Sequence, residues 1–219
     1  DMIPVDGDFS RYKAICAPVL YMVKEGVAEA LEAFVEAGGT LITGMMSGIV
    51  DQSDNVHLGG YPGPLRRLCG IWAEEIDALA PEQSNTLRFP DGTEAQCKLL
   101  CDIIRPEGAE TLAAYGGDFY EGTPAVTKNS FGKGTVYYVG TQPDHDGIAK
   151  ILDALTAGAD VKPLIPDETE LEVDLRTIEG REYWFIINLT GTPKSAPESF
   201  RGETDILTGK PVGELQGFD

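Results

Sequence analysis

The stretch Val27-Ala-Glu-Ala-Leu-Glu-Ala-Phe-Val-Glu-Ala-Gly-Gly-Thr-Leu-Ile-Thr-Gly44 decides the fold class. Val27, Ala30, Leu31, Phe34 and Val35 recur at helical spacing with Glu25, Glu29, Glu32 and Glu36 around them, so one apolar stripe faces a core and the acids face water. Gly38-Gly39 supplies a left-handed stop. Residues 40–43 then read as a short buried strand ended by Gly44, and residues 12–17, Tyr-Lys-Ala-Ile-Cys-Ala, as another stopped by Pro18. Strand, helix, strand is a βαβ unit. Its crossover makes the strands parallel and sets the following loops at their C-terminal ends, where open α/β sheets place ligands. Those loops begin at Pro18 and Gly44. The second, running to Tyr61, scatters Gly, Ser, Asp and Asn among Met45, Met46, Ile49 and Val50 without a period. A loop of that length inside a compact domain is functional or disordered, and its apolar residues favour packing on something.

Further along, the pattern turns to alternation. Residues 86–89, a Pro90-Asp91-Gly92 turn and residues 94–104 make one hairpin. Residues 125–129 and 135–139, rich in β-branched and aromatic side chains, make a second around Ser130-Phe-Gly-Lys-Gly134. Asp144 is an N-cap for a helix with Ile148, Ile151, Leu152 and Leu155 on one face and Gly158 as its stop. Residues 161–166, Val-Lys-Pro-Leu-Ile-Pro, carry two prolines that suit neither a central strand nor a helix. The boundary placed there gives domains at 1–163 and 164–219. In the second, residues 171–177, a Glu179-Gly180 turn and residues 181–189 form a hairpin, and residues 203–207 a further strand before a turn at 208–211. A β domain of about 55 residues with so few strands is marginal alone.

A hydrophobic content of 42% in 219 residues is that of a globular chain with a real core. The formal charge of −19, from 36 acidic against 17 basic residues, repels phosphate backbones and anionic headgroups, which excludes nucleic acid and membrane surfaces as partners. No apolar run approaches the roughly 18 residues of a spanning helix, and no basic segment leads an apolar one at the N-terminus. Four cysteines in a chain this large are no disulfide framework, so the expected compartment is the cytoplasm. The opening Asp1-Met-Ile-Pro-Val5 is strand-like and has no start methionine. The expectation is a piece of a longer chain whose sheet lacks its first strand and helix and whose second domain stops before a final strand at 217–219, leaving exposed edges.

The polar and reactive side chains nominate no chemistry. Cys97 and Cys101 lie in an alternating segment, and four residues of strand separate them by roughly 13 Å at about 3.3 Å each. That is too far to share a zinc ion with metal–sulfur bonds of about 2.3 Å, so two buried apolar cysteines are expected. Cys16 lies near a strand end, but Ala17-Pro-Val-Leu20 is no nucleophile elbow, and a packed structural thiol is expected. His57 and His145 have no second ligand at metal spacing; His145 sits between Asp144 and Asp146 at a helix start. Gly44-x-x-x-Gly48 lacks both the third glycine of a dinucleotide fingerprint and the Gly-Lys-Ser/Thr of a P-loop. Glu74 and Glu75 are adjacent and diverge, whereas a retaining glycosidase needs carboxyls about 5 Å apart.

Three segments carry a family resemblance. The first comprises Pro18-Val-Leu-Tyr21, Phe34-Val-Glu-Ala-Gly-Gly-Thr-Leu-Ile-Thr-Gly44 and Ser47-Gly-Ile-Val-Asp51. The second is His57-Leu-Gly-Gly-Tyr-Pro-Gly-Pro-Leu65 with Gly70 and Glu75. The third is Gly122-Thr-Pro-Ala-Val126 with Phe131-Gly-Lys-Gly134 and Tyr137-Tyr-Val-Gly140. In order, they resemble the middle, trimerisation domain of bacterial β-galactosidases of glycoside hydrolase family forty-two. Tyr183-Trp-Phe-Ile-Ile-Asn-Leu-Thr190 and Asp205-Ile-Leu-Thr-Gly209 resemble that family's small C-terminal β domain.

The resemblance implies an α/β fold: a flavodoxin-like, class I glutamine amidotransferase-like three-layer sheet with β-hairpin additions, followed by a small all-β domain. It implies a homotrimeric enzyme hydrolysing terminal β-galactosides in oligosaccharides, with both catalytic glutamates on a preceding (β/α)₈ barrel. Such a barrel needs about 250 residues of repeating strand and helix, which this hairpin-rich chain cannot supply. No catalytic residue, cofactor or metal is therefore carried over, and the implied role is non-catalytic assembly, with further copies and the barrel as partners. A closed three-fold ring joins two different patches. Met45, Met46, Ile49, His57 and Tyr61 of the long loop are the candidate interface residues. Two alternatives use the same fold: a glutamine-amidotransferase-like hydrolase working through Cys16 and a histidine, and a flavin- or ligand-binding module using the loops after Pro18 and Gly44.

Overall fold

The computed structural model of the protein describes residues 4, 7–165 and 170–217, so the strand-like reading of residues 1–5 and the expected stop before a final strand at 217–219 fall mostly on residues outside those described. The chain divides into two compact units, Asp1–Val161 and Lys162–Asp219.

The first unit begins with the expected βαβ: β1 (Ala14–Ala17), α1 (Val27–Glu36) and β2 (Thr40–Gly44), with β1 and β2 parallel. Ala28, Leu31, Phe34 and Val35 are the buried face of α1. The chain then leaves the helix through Gly38 at φ +121°, and a Cβ on Gly39 would stand 2.3 Å from the Phe34 ring, so only glycine fits. After a short helix α2 (Arg66–Cys69) come β3 (Ile71–Ala78), β4 (Asn85–Arg88), β5 (Glu94–Pro106) and β6 (Glu110–Tyr115). β7 (Pro124–Phe131), β8 (Gly134–Val139), β9 (Thr141–Pro143) and α3 (His145–Ala159) complete the unit. One sheet runs β1-β2-β8-β7-β6-β4-β5-β3, with β9 paired to β5.

The pairs β1–β2 and β2–β8 are parallel and the remaining pairs antiparallel, three of them, β4–β5, β6–β7 and β7–β8, between consecutive strands joined by turns. The class is mixed α/β, and both expected hairpins, β4–β5 and β7–β8, are present. The alternation of the sequence does not announce β3 and β6. Register shifts between Ala73 and Glu75 and between Thr111 and Ala113 interrupt their period of two.

Leu41 packs with α1, Leu65, Leu68, Ile71 and Tyr138 in one core cluster. Its neighbour Ile42 packs against a second cluster holding Leu87, Cys97, Cys101, Tyr115, Val126 and Ile151. Adjacent strand residues point to opposite faces, so both faces of the sheet are covered. Asp144 caps α3 as expected, accepting a hydrogen bond from Gly147 N at 2.9 Å. Ile151 and Leu155 are buried, but Ile148 and Leu152 are exposed, and the helix runs past Gly158. It ends where Asp160 takes the left-handed turn at φ +49° and donates its amide to Thr156 O.

In the second unit β10 (Leu171–Ile178) and β11 (Arg181–Asn188) form the expected hairpin across Glu179 and Gly180, both at positive φ. β12 (Lys194–Ser195) pairs with β13 (Glu214–Leu215). Residues 203–207 are not a strand. Thr204 makes an isolated bridge to Pro211, while the Asp205 carboxylate accepts from Leu207 N at 2.8 Å and Thr208 Oγ1 at 2.6 Å, and these local bonds hold a turn instead.

Candidate functional site

The loops that leave β1 and β2 are laced together at the C-terminal ends of the parallel strands. Gly48 N donates to Leu20 O at 2.8 Å, Ile49 N to Tyr21 O at 3.0 Å and Val23 N to Val50 O at 2.9 Å. Ser47 Oγ beneath them accepts from Leu20 N at 3.0 Å and from Thr43 Oγ1 at 2.9 Å. A Cβ on Gly44 would stand 2.3 Å from Val139 O, and one on Gly48 2.2 Å from Pro62 O. Close backbone approach thus accounts for both glycines without a phosphate. Asp51 accepts from Ser53 N at 2.8 Å and Asn55 N at 3.0 Å, and these backbone bonds, that from Asn55 first, hold its carboxyl below its usual value.

Tyr61 turns inward. Its hydroxyl lies 3.1 Å from Asp102 Oδ1 and 3.2 Å from Glu75 O, and burial, ahead of the Asp102 charge, pushes the phenol well above its usual value. Tyr138 Oη donates to Asp102 Oδ2 at 2.8 Å. Asp102 is fully buried, and desolvation pushes its carboxyl up to about 7 against the two tyrosine hydrogen bonds. Tyr61 is therefore the anchor that ties the long loop to the sheet. Met45, Met46, Ile49 and His57 are half-buried. Met45 N donates to Val139 O, His57 N to Ile49 O, each at 2.9 Å, and Met46 sits at φ +60°. His57 Nε2 is buried with no hydrogen-bond partner among the described residues.

The exposed apolar side chains of this pair of loops are Val19, Tyr21, Val56 and Leu58, the last 97% exposed. Val19 and Tyr21 lie in the apolar run 17–23 and read as core, while Val56 and Leu58 are isolated among polar and glycine neighbours; Leu58 between His57 and Gly59 was the available signal. Arg66 braces the tip, donating from Nη1 to Gly59 O at 3.2 Å while its Nε and Nη2 clasp Glu107 at 2.6 and 2.5 Å. Leu58 is thus held out on a supported turn.

The remaining candidates lie apart. Cys16 is exposed on β1 rather than packed, because β1 is an edge strand; desolvation raises its thiol, which weakens it as a nucleophile. His145 is exposed, with Nδ1 3.5 Å from Asp146 Oδ1. Glu74 and Glu75 are exposed on β3, Glu74 accepting from Arg105 Nε at 2.7 Å. Cys97 and Cys101 are buried, but they are not an extended strand's length apart. β5 bulges between them, so they face Pro143 and Thr141, only two residues apart on β9. Among the described residues no group of three His, Cys, Asp or Glu is placed to hold a metal ion, and no helix is long and apolar enough to cross a membrane.

The family model described as a beta-galactosidase trimerisation domain matches residues 1–162. The β-galactosidase LacA of Lactobacillus acidophilus is 43% identical over 100% of this chain and 33% of its own length. The β-galactosidase BgaP of Planococcus sp. (strain L4) is 47% identical over 86% of this chain and 29% of its own. The crystal structure of a β-galactosidase from Bacillus circulans sp. alkalophilus superposes with a TM-score of 0.86 at 44% identity, covering 98% of this chain and 33% of that one. The chain thus spans about a third of the length of the relatives it matches.

Proposed function

The chain belongs to the β-galactosidase trimerisation-domain family, and from that premise we propose that it is the non-catalytic assembly region of a β-galactosidase. In this reading the whole enzyme is a cytoplasmic homotrimer that hydrolyses terminal β-galactosides in oligosaccharides. Its catalytic glutamates lie on a (β/α)₈ barrel outside these 219 residues. Residues 1–163 form the assembly domain and residues 164–219 a small β domain. The flavodoxin-like description of the first domain is supported by the parallel β1-β2-β8 set, its helical crossover and the two covered faces. The free cysteines suit a reducing compartment.

The observation that carries the assembly reading is the pair of laced loops, with Val19 and Tyr21 exposed on the first and Val56 and Leu58 on the second, which Arg66 and Tyr61 hold in place. Apolar groups grouped on a braced surface are the signature of an interface. Met45, Met46, Ile49 and His57 form its half-buried support and Tyr61 its anchor, so the patch belongs either to the contact between copies or to the contact with the barrel. Light scattering on the purified 219-residue chain across a dilution series tests this. A stable trimer that Leu58→Asp disperses is the expected result. A monomer at every concentration overturns the claim that this region assembles on its own.

A further inference from the structure

We propose that Cys97 and Cys101 are a redox pair that closes to a disulfide within one strand when a small peroxide reaches it. Register carries the geometry. Cys97 lies opposite Pro143 and Cys101 opposite Thr141 on β9, so the two cysteines occupy the span of two strand residues, about 6.6 Å at roughly 3.3 Å each. That falls within the Cα separations of about 4.4–6.8 Å seen in protein disulfides. The surplus chain is thrown out as a bulge with Leu99 at φ +72° and half exposed, its carbonyl accepting from Leu79 N at 2.9 Å. Both sulfurs remain buried in the cluster of Tyr115, Tyr120, Ala125 and Ile151, with Thr141 Oγ1 3.7 Å from Cys101 Sγ. Nothing in the proposed assembly role uses them.

The two thiols are not equivalent. The thiols titrate as a pair, each shifted first by the other, with Cys101 held below its usual value and Cys97 raised far above it, so the proton that remains stays on Cys97. Cys101 thiolate attacks one oxygen of hydrogen peroxide, the O–O bond breaks, and hydroxide leaves Cys101 as a sulfenic acid. Cys97 loses its proton to that hydroxide, giving water, and its sulfur attacks the Cys101 sulfur; the S–O bond breaks and the departing hydroxide takes back from solvent the proton that Cys101 released on ionising, giving a second water. Two thiols lose two electrons and two protons, and one peroxide becomes two waters. Peroxide is little larger than water, and Tyr120, whose hydroxyl donates to Asp77 Oδ2 at 2.8 Å, packs in the same cluster as Cys101.

The test treats the 219-residue chain with hydrogen peroxide, unfolds it in an alkylating agent and maps the peptides by mass. The expected result is a loss of about 2 Da on the peptide holding Cys97 and Cys101, reversed by dithiothreitol. Cys69, equally buried but single, stays alkylatable. Full alkylation of both Cys97 and Cys101, or oxidation no greater than at Cys69, overturns the proposal. Cys97→Ala and Cys101→Ala should each abolish the 2 Da loss, and a loss that persists in either variant overturns the pairing.

Discussion

Asp102 is the side chain on which pH acts. Its folded value of about 7 stands above the unfolded carboxylate value of about 3.9, so between these limits the folded chain keeps a proton that the unfolded chain has released. Its contribution to stability is therefore fully present below about pH 4 and is lost as pH rises through about 7. Urea midpoints of the native chain should fall from about pH 5 to about pH 9, by an amount equivalent to at most about 3 kcal/mol, and the slope should disappear in Asp102→Asn. An unchanged slope in that variant would assign the pH dependence to other groups. Tyr138→Phe leaves Asp102 Oδ2 without its 2.8 Å donor in a fully buried site, and should cost about 1–3 kcal/mol in the same assay. The carboxylate was invisible to sequence reasoning. Asp102 stands alone in the apolar run Leu99-Leu-Cys-Asp-Ile-Ile104, and its partners Tyr61 and Tyr138 approach from elsewhere in the chain.

At the scale of elements, periodicity decided what could be read. Helix α1 and the hairpins β4–β5, β7–β8 and β10–β11 announce themselves through the 3.6 and 2.0 residue repeats and through turn residues that tolerate positive φ. Strands β3 and β6 escape because bulges shift their alternation. The same device hid the Cys97–Cys101 pair, whose separation in an ideal strand is about twice that in the bulged one. Residues 203–207 carried a strand-like composition, but Asp205 bonded its own neighbours instead. Two substitutions test the element boundaries that were legible. Leu31→Ala removes a side chain only 3% exposed from the buried face of α1 and should cost about 2–4 kcal/mol by denaturant unfolding. Gly48→Ala adds a Cβ 2.2 Å from Pro62 O at φ +67° and should cost about 2 kcal/mol or more while leaving the helical circular dichroism unchanged.

For the whole molecule, charge opposes the proposed assembly. Each copy carries −19, so bringing copies together concentrates like charge, and the apolar loop surface must outweigh it. Raising salt from about 0.01 M to about 0.15 M shortens the screening length from about 30 Å to about 8 Å, and should tighten association in sedimentation experiments. An assembly that loosens with salt would instead be held by ion pairs across its interface. The sequence by itself determined the α/β class, the βαβ entry, the hairpins and the family, because each is written in local periodicity or in contiguous motifs. The tertiary structure alone decided which loop residue anchors and which protrude, that Asp102 is buried between two phenols, and that two cysteines four residues apart meet. Those facts depend on bulges and on groups brought together from distant parts of the chain, and no local pattern encodes such distances.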